Sequence, residues 1–166
     1  MKLNYENLLR EAAEDGLYVI ENADFQSGAA GLINGDVIGI NKKIRSTTER
    51  TCILAEELGH HYTTVGNIID LSDPKNRKQE YHARLWSYNR LIGLSGIIET
   101  YKAGCRTIHD AAEHLDVTEE FFLEALKCYR EKYGLYKIVD NYIVYFEPLG
   151  VLEMNKIETI PKSFKR

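Results

Sequence analysis

The stretch Ala55-Glu56-Glu57-Leu58-Gly59-His60-His61 decides how this sequence is interpreted. Four residues span about one turn of an α-helix, so Glu56 and His60 share one face while Glu57 lies beside them. The preceding segment, Cys52-Ile53-Leu54-Ala55, is apolar, which predicts a largely buried helix that carries two adjacent carboxylates. Burying unpaired carboxylates costs free energy, and a nearby cation would offset that cost.

The spacing is that of the HExxH pattern, in which two residues four apart hold a metal ion and the glutamate between them is the general base. Glu56 takes the place of the first histidine, so the pattern here is EExxH. A second register is open, with Glu57 and His61 as ligands, although it lacks a well-placed base. Glu80 on a downstream helix is the favoured third ligand. His82 points to nearly the opposite side of that helix, so only one of the two can face the ion.

Two further observations concern single residues. Gly59 costs about 1 kcal/mol in a helix interior, so its presence predicts close approach of another backbone or a substrate. His109 and His114 lie in the C-terminal part, where we expect surface or packing roles.

Patterning along the rest of the chain predicts an α+β fold. An opening helix is expected from about Asn4 to Asp15, followed by short strands and a hairpin at Asn34-Gly35. The motif helix should begin at Ser46, where Glu49 completes a capping-box pattern, and run to about Thr64 before Gly66. The remaining expected elements are a loop over 67–76, a helix from Lys75 to Leu94, two or three helices between Ile97 and Gly134 with a helix-turn-helix-like break at 116–118, and a hairpin around Asp140-Asn141.

Composition limits the function classes. The chain has 166 residues, 44% of them apolar, which suffices for one compact core. With 25 acidic against 21 basic residues, and with Glu119 and Glu120 opening the presumed recognition helix, we predict no specific DNA binding. Three widely spaced cysteines and the lack of a long apolar run indicate a reduced cytoplasmic protein that does not enter a membrane.

Two segments resemble the ImmA/IrrE family. Residues 53–62 are similar to its AHELGHH segment, with Glu56 in place of the first histidine, and residues 80–87 are similar to its E-x-x-A-N-x-F-A segment. The strand Val37–Asn41 falls where that family has its active-site edge strand. The resemblance covers about residues 17 to 95.

The sequence pattern predicts a β-hairpin after the C-terminal helices and a flexible, polar and basic tail over 155–166. The resemblance implies a zincin-like metal-binding domain over residues 1–95, followed by a helical extension over 96–154 that ends in this hairpin. It implies a cytoplasmic metallo-endopeptidase that cleaves a protein substrate, a phage or mobile-element repressor. His60 and Glu80 become Zn²⁺ ligands, Glu57 the general base, and Glu56 a ligand by position only. Carboxylates are harder ligands than imidazole, so Mn²⁺ or Fe²⁺ are alternatives to zinc.

Two other interpretations remain open at this point. The first is a catalytically weakened or inactive relative that acts as a repressor-binding regulatory module. The second is a DNA-binding regulator that uses the C-terminal helices.

Overall fold

A computed structural model describes residues 3–65 and 72–155, and within them the chain forms six helices and two three-stranded sheets. The helices are α1 Tyr5–Glu14, α2 Thr47–Thr63, α3 Pro74–Leu91, α4 Gly93–Lys102, α5 Ile108–Leu115 and α6 Glu119–Tyr133. The strands are β1 Tyr18–Ala23, β2 Gly31–Asn34, β3 Val37–Asn41, β4 Tyr136–Val139, β5 Tyr142–Phe146 and β6 Leu149–Glu153. The predicted α+β class is confirmed. The predicted helix stop at Gly66, residues 67–71 of the predicted loop and residues 156–166 of the predicted tail lie outside the described residues.

The first sheet has the strand order β1-β3-β2. The hairpin between β2 and β3 is confirmed, and Gly35 supplies the positive φ, 57°, that its turn needs. The expectation that Val37–Asn41 is an edge strand is wrong, because β1 pairs in parallel with its other side. The edge strand packed against α2 is β2.

The two helices that carry the motif residues pack along each other. Helix α2 begins after Ser46 as predicted, and the Ser46 hydroxyl accepts the Glu49 N–H at 3.4 Å. The Glu49 side chain makes no return bond to the Ser46 N–H, so only half of the predicted capping box is formed. Helix α3 ends at Leu91 rather than at Leu94, because Gly93 adopts a φ of 61° and starts α4. The turn at Gly93 therefore redirects the chain from α3 into the C-terminal helices.

The C-terminal helices match the predicted break. Asp116 adopts a left-handed φ of 57° after α5, and the Thr118 hydroxyl caps α6 by accepting the Phe121 N–H at 3.1 Å. Glu119 and Glu120 are exposed in the first turn of α6. The absence of specific DNA binding stays a prediction.

The second sheet is larger than the sequence predicted. The hairpin of β4 and β5 around Asp140-Asn141 is confirmed, but β6 adds a third antiparallel strand beside β5. The described part of the C-terminal extension therefore contains a three-stranded sheet in place of the predicted hairpin. The β6 segment contains Gly150 and therefore has a low intrinsic propensity for a strand. It is a strand because it pairs with β5.

Two apolar clusters lie on either side of α2. One joins α1, the first sheet and α2; its fully buried members are Leu8, Ala12, Ile38, Ile40, Leu54, Ala55 and Leu58. The other joins α3 to α6, the second sheet and Cys52 of α2; its fully buried members are Ile97, Phe122, Ala125, Tyr129 and Val144. The division into domains at residues 95 and 96 stays a prediction, and α4 crosses that point. None of the described helices has the length and apolarity that a membrane crossing needs.

Candidate metal centre

Gly59 allows α2 and α3 to pack closely against each other, and the line along which the two helices meet is called the seam below. A Cβ atom at Gly59 would lie 2.3 Å from the carbonyl oxygen of Ala83 and 3.1 Å from its carbonyl carbon. The predicted close approach of another backbone is therefore confirmed, and that backbone belongs to α3. Because the helices meet so closely here, the side chains of His60 on α2 and Glu80 on α3 face each other beside the contact.

His60 and Glu80 form the central pair of the site. His60 Nε2 lies 3.4 Å from Glu80 Oε2, and both side chains are about one-fifth exposed. Two donors that each bind zinc at about 2.0–2.1 Å in tetrahedral geometry stand roughly 3.3 Å apart, so this separation fits a shared ion.

The state of the His60 ring also suits a metal ligand. Burial lowers the pKa of His60, the carboxylate of Glu80 raises it, and the guanidinium of Arg84 lowers it further. The ring is therefore held mainly in the neutral form that ligates metals. Its Nδ1 lies 3.4 Å from Thr64 Oγ1, so a proton on Nδ1 leaves the Nε2 lone pair directed toward Glu80.

Glu56 shares the seam but does not join this pair. It has no hydrogen bond or ion pair to another described residue. Burial raises the pKa of its carboxyl to about 7, with Arg84 opposing that shift and Glu124 and Glu80 adding to it. Within residues 3–65 and 72–155, no three His, Cys, Asp or Glu side chains are arranged to hold a metal ion. The structure thus brings together two of the three residues predicted as ligands.

Glu57 lies on the side of α2 that faces the edge strand. A Cβ at Gly31 of β2 would lie 2.7 Å from Glu57 Oε1, so this carboxylate packs closely against the β2 backbone. Burial raises its pKa to about 7, and Glu56 and Glu80 act in the same direction. The backbone of Ile33 on β2 opposes that shift.

Sequence reasoning missed two charged residues that touch the site. Arg84 Nε donates to Glu80 Oε1 at 2.7 Å, and Arg84 Nη1 lies 3.8 Å from Glu124 Oε2. The spacing of Glu80 and Arg84, four apart on one helix, could have indicated their pair. Glu124 carries no such signal, since it arrives on α6. Its Oε2 accepts the hydroxyl of Tyr88 at 3.0 Å.

The other candidate histidines lie away from this seam. His61 is exposed and packs edge-on against Tyr62, with ring centroids 5.0 Å apart. His82 is exposed on the far side of α3 and packs against Tyr81. His109 pairs with Glu119 at 2.7 Å on the surface, and His114 is exposed. The structure therefore gathers neither His61 nor His82 with the predicted ligands.

One comparison with known proteins gives a match. The model of a family described as the IrrE N-terminal-like domain, Peptidase_M78, matches residues 8–127. The matched region includes α1 from Leu8 onward, the first sheet, both helices of the seam, and the chain through Lys127 of α6. No curated protein and no solved structure matches the chain.

Proposed function

The chain belongs to the IrrE N-terminal-like family of metallopeptidases, the ImmA/IrrE family, and on that premise we propose that it is a metal-dependent endopeptidase acting at the α2–α3 seam. The proposed ligands are Glu56, His60 and Glu80, and the proposed general base is Glu57. Zinc is the expected ion, with Mn²⁺ or Fe²⁺ as alternatives because two of the three ligands are carboxylates.

The observation that carries this proposal is the pairing of His60 with Glu80. A neutral imidazole nitrogen and a carboxylate oxygen 3.4 Å apart suit one ion between them. Glu56 lies one helical turn before His60 and has no other hydrogen-bond or ion-pair partner among the described residues, so its side chain is free to complete the set. A divalent ion held there supplies a Lewis acid that polarises a scissile carbonyl and makes water more acidic.

Glu57 is suited to move the proton. Its pKa of about 7 lies near neutral pH, which is where a general base is most effective. The carboxylate packs against β2 at Gly31, close to the backbone of Ile33, and so lies between α2 and that strand. In the proposed reaction Glu57 accepts a proton from the attacking water and returns it to the leaving amine, so the base is regenerated in each turnover.

The proposed substrate is a protein, and within that class a cytoplasmic repressor of a phage or mobile element. Support for this finer statement comes from the resemblance of residues 53–62 and 80–87 to the family's motifs. Hydrolysis of a peptide bond requires an accessible substrate segment, which we expect in a linker between folded domains.

A second candidate function is favoured by one specific observation. Glu80 already accepts a hydrogen bond from Arg84, and the described residues contain no group of three metal donors. A relative that has lost catalysis would keep such an internal ion pair and act by binding the repressor without cutting it. Metal content separates the two functions.

The test is metal analysis of the full chain, purified without chelators and then reconstituted with zinc, manganese or iron, together with cleavage of a peptide library read by mass spectrometry. We expect one bound ion and metal-dependent cleavage. Glu57→Gln should retain the ion and lose about 100- to 10,000-fold in cleavage rate, because a base accepts a proton and need not ligate.

The same metal analysis, applied to variants of α2, distinguishes the two possible sets of ligands. Glu56→Ala should weaken metal binding and His61→Ala should not. Loss of metal from Glu57→Gln and His61→Ala, with none from Glu56→Ala, would show that the second register is the right one. A chain that takes up no ion in any of the three reconstitutions would favour the binding module.

A further inference from the structure

We propose that Arg84 is a resident cation of the seam, which holds Glu80 in the metal-free protein and moves to Glu124 when a metal ion binds. This inference rests on the proposed function, because it concerns how the same three ligands become available. It assigns Arg84 and Glu124 a role in setting metal affinity.

Glu80 already has a cationic partner without a metal. Its Oε1 accepts the Nε–H of Arg84 at 2.7 Å, a short charge-assisted hydrogen bond, while its Oε2 faces His60. A carboxylate that ligates an ion gives up electron density to that ion and weakens its bond to a guanidinium. Metal binding and the bond between Arg84 and Glu80 therefore compete.

Glu124 is a second carboxylate within reach of Arg84. Arg84 Nη1 lies 3.8 Å from Glu124 Oε2, so a small rotation of the guanidinium converts this contact into a hydrogen bond. The hydroxyl of Tyr88, a residue only 2% exposed, donates to the same oxygen at 3.0 Å and holds Glu124 toward the seam. The Arg84 side chain is 49% exposed, which leaves it room to turn.

The charges around Arg84 are mostly negative. Glu80 and Glu124 act electrostatically on Glu56, and Arg84 opposes them. One guanidinium beside them offsets part of their repulsion, as a divalent ion would. Two cations at the same carboxylate repel each other at close range, so Arg84 at Glu80 must lower metal affinity. Moving Arg84 to Glu124 lengthens that separation while keeping its charge paired.

The experiment compares zinc affinity, measured by competition with a chromogenic chelator, in the wild type, Arg84→Gln and Arg90→Gln. Arg90 is the matched control, because it lies on the same helix and forms a short ion pair away from the proposed ligands, with Glu11 at 2.6 Å. Because the substitution removes the repulsion between the guanidinium and the ion, we expect Arg84→Gln to bind zinc about tenfold or more tightly than the wild type. We expect Arg90→Gln to bind zinc as the wild type does. Removing a residue that hydrogen-bonds to a metal ligand usually weakens metal binding. Tighter zinc binding by Arg84→Gln would therefore distinguish the proposed role from an ordinary supporting hydrogen bond.

Melting of the same proteins gives a readout independent of activity. Metal-free Arg84→Gln should melt below the metal-free wild type, because its carboxylates lose their cation, and zinc should raise its melting temperature more than that of the wild type. Glu124→Gln is the second variant: it should weaken zinc binding, since Arg84 then has no carboxylate to move to. If Arg84→Gln does not fold, this variant alone decides.

The outcomes separate this inference from the proposed function. Suppose that the wild type binds zinc. If Arg84→Gln then binds zinc no more tightly than the wild type, or if Glu124→Gln binds it equally, the role of Arg84 is overturned and the proposed function is not. Zinc binding by Arg84→Gln but not by the wild type supports that role and shows that the guanidinium blocks the site. Zinc binding by none of the proteins overturns both proposals.

Discussion

Substituting Gly59 by alanine tests the geometry of the seam, because helix propensity and packing predict opposite signs. Alanine favours a helix interior over glycine by about 1 kcal/mol, so propensity alone predicts a more stable protein. The added methyl, however, would lie 2.3 Å from the Ala83 carbonyl oxygen, well inside the 3.0 Å limit of real contacts. Since the obstacle is backbone and not a flexible side chain, α2 and α3 must move apart.

The magnitude follows from those two effects. Overpacking at a tight contact costs about 1–3 kcal/mol and occasionally more, and a backbone clash belongs at the upper end of that range. After the gain in helix propensity, we expect Gly59→Ala to lower the free energy of unfolding by about 2 kcal/mol. For a chain of this length that corresponds to a fall of about 4–8 °C in melting temperature.

The assay is thermal and urea unfolding of the metal-free chain beside a matched variant, Gly96→Ala. Gly96 also lies inside a helix, α4, but a methyl there would meet only side-chain carbons, the nearest being one of Leu115 at 3.3 Å. We expect that variant to be neutral or slightly more stable. Zinc binding should also weaken in Gly59→Ala, because His60 and Glu80 separate with their helices. A Gly59→Ala protein as stable as the wild type would refute the idea that backbone contact sets the seam.

Two further predictions concern the carboxylates of α2. Burial raises the pKa of Glu56 and Glu57 from the ordinary 4.5 to about 7. Each protonated carboxyl therefore contributes up to about 3 kcal/mol to the free energy of unfolding. This contribution is complete below about pH 4.5 and is lost as the pH rises through about 7. The metal-free chain should therefore melt at a higher temperature at about pH 6 than at about pH 8.5, and Glu56→Gln should reduce this difference. A melting temperature that rises from about pH 6 to about pH 8.5 would contradict this effect of the two buried carboxyls. Glu56→His should tighten zinc binding and favour zinc over manganese, which competition titrations would measure; unchanged affinity would mean that Glu56 does not ligate.

The sequence by itself determined the features that depend on neighbours along the chain. The Ser46 and Thr118 caps and the turns at Gly35 and Asp116 involve bonds within a few residues, so residue type and spacing sufficed to predict them. The buried character of α2 and the close approach at Gly59 also followed from local composition. Motif spacing likewise indicated the family to which the chain belongs.

Only the tertiary structure decided which partners meet across the seam. The central position of β3 depends on β1 pairing in parallel with it, and β6 is a strand because β5 lies beside it. The contact of Arg84 with Glu124 joins α3 to α6 through the packing of the second apolar cluster. Such contacts depend on how the helix axes are placed in space, and since residue spacing does not encode that placement, the cation at the seam could be found only in the fold.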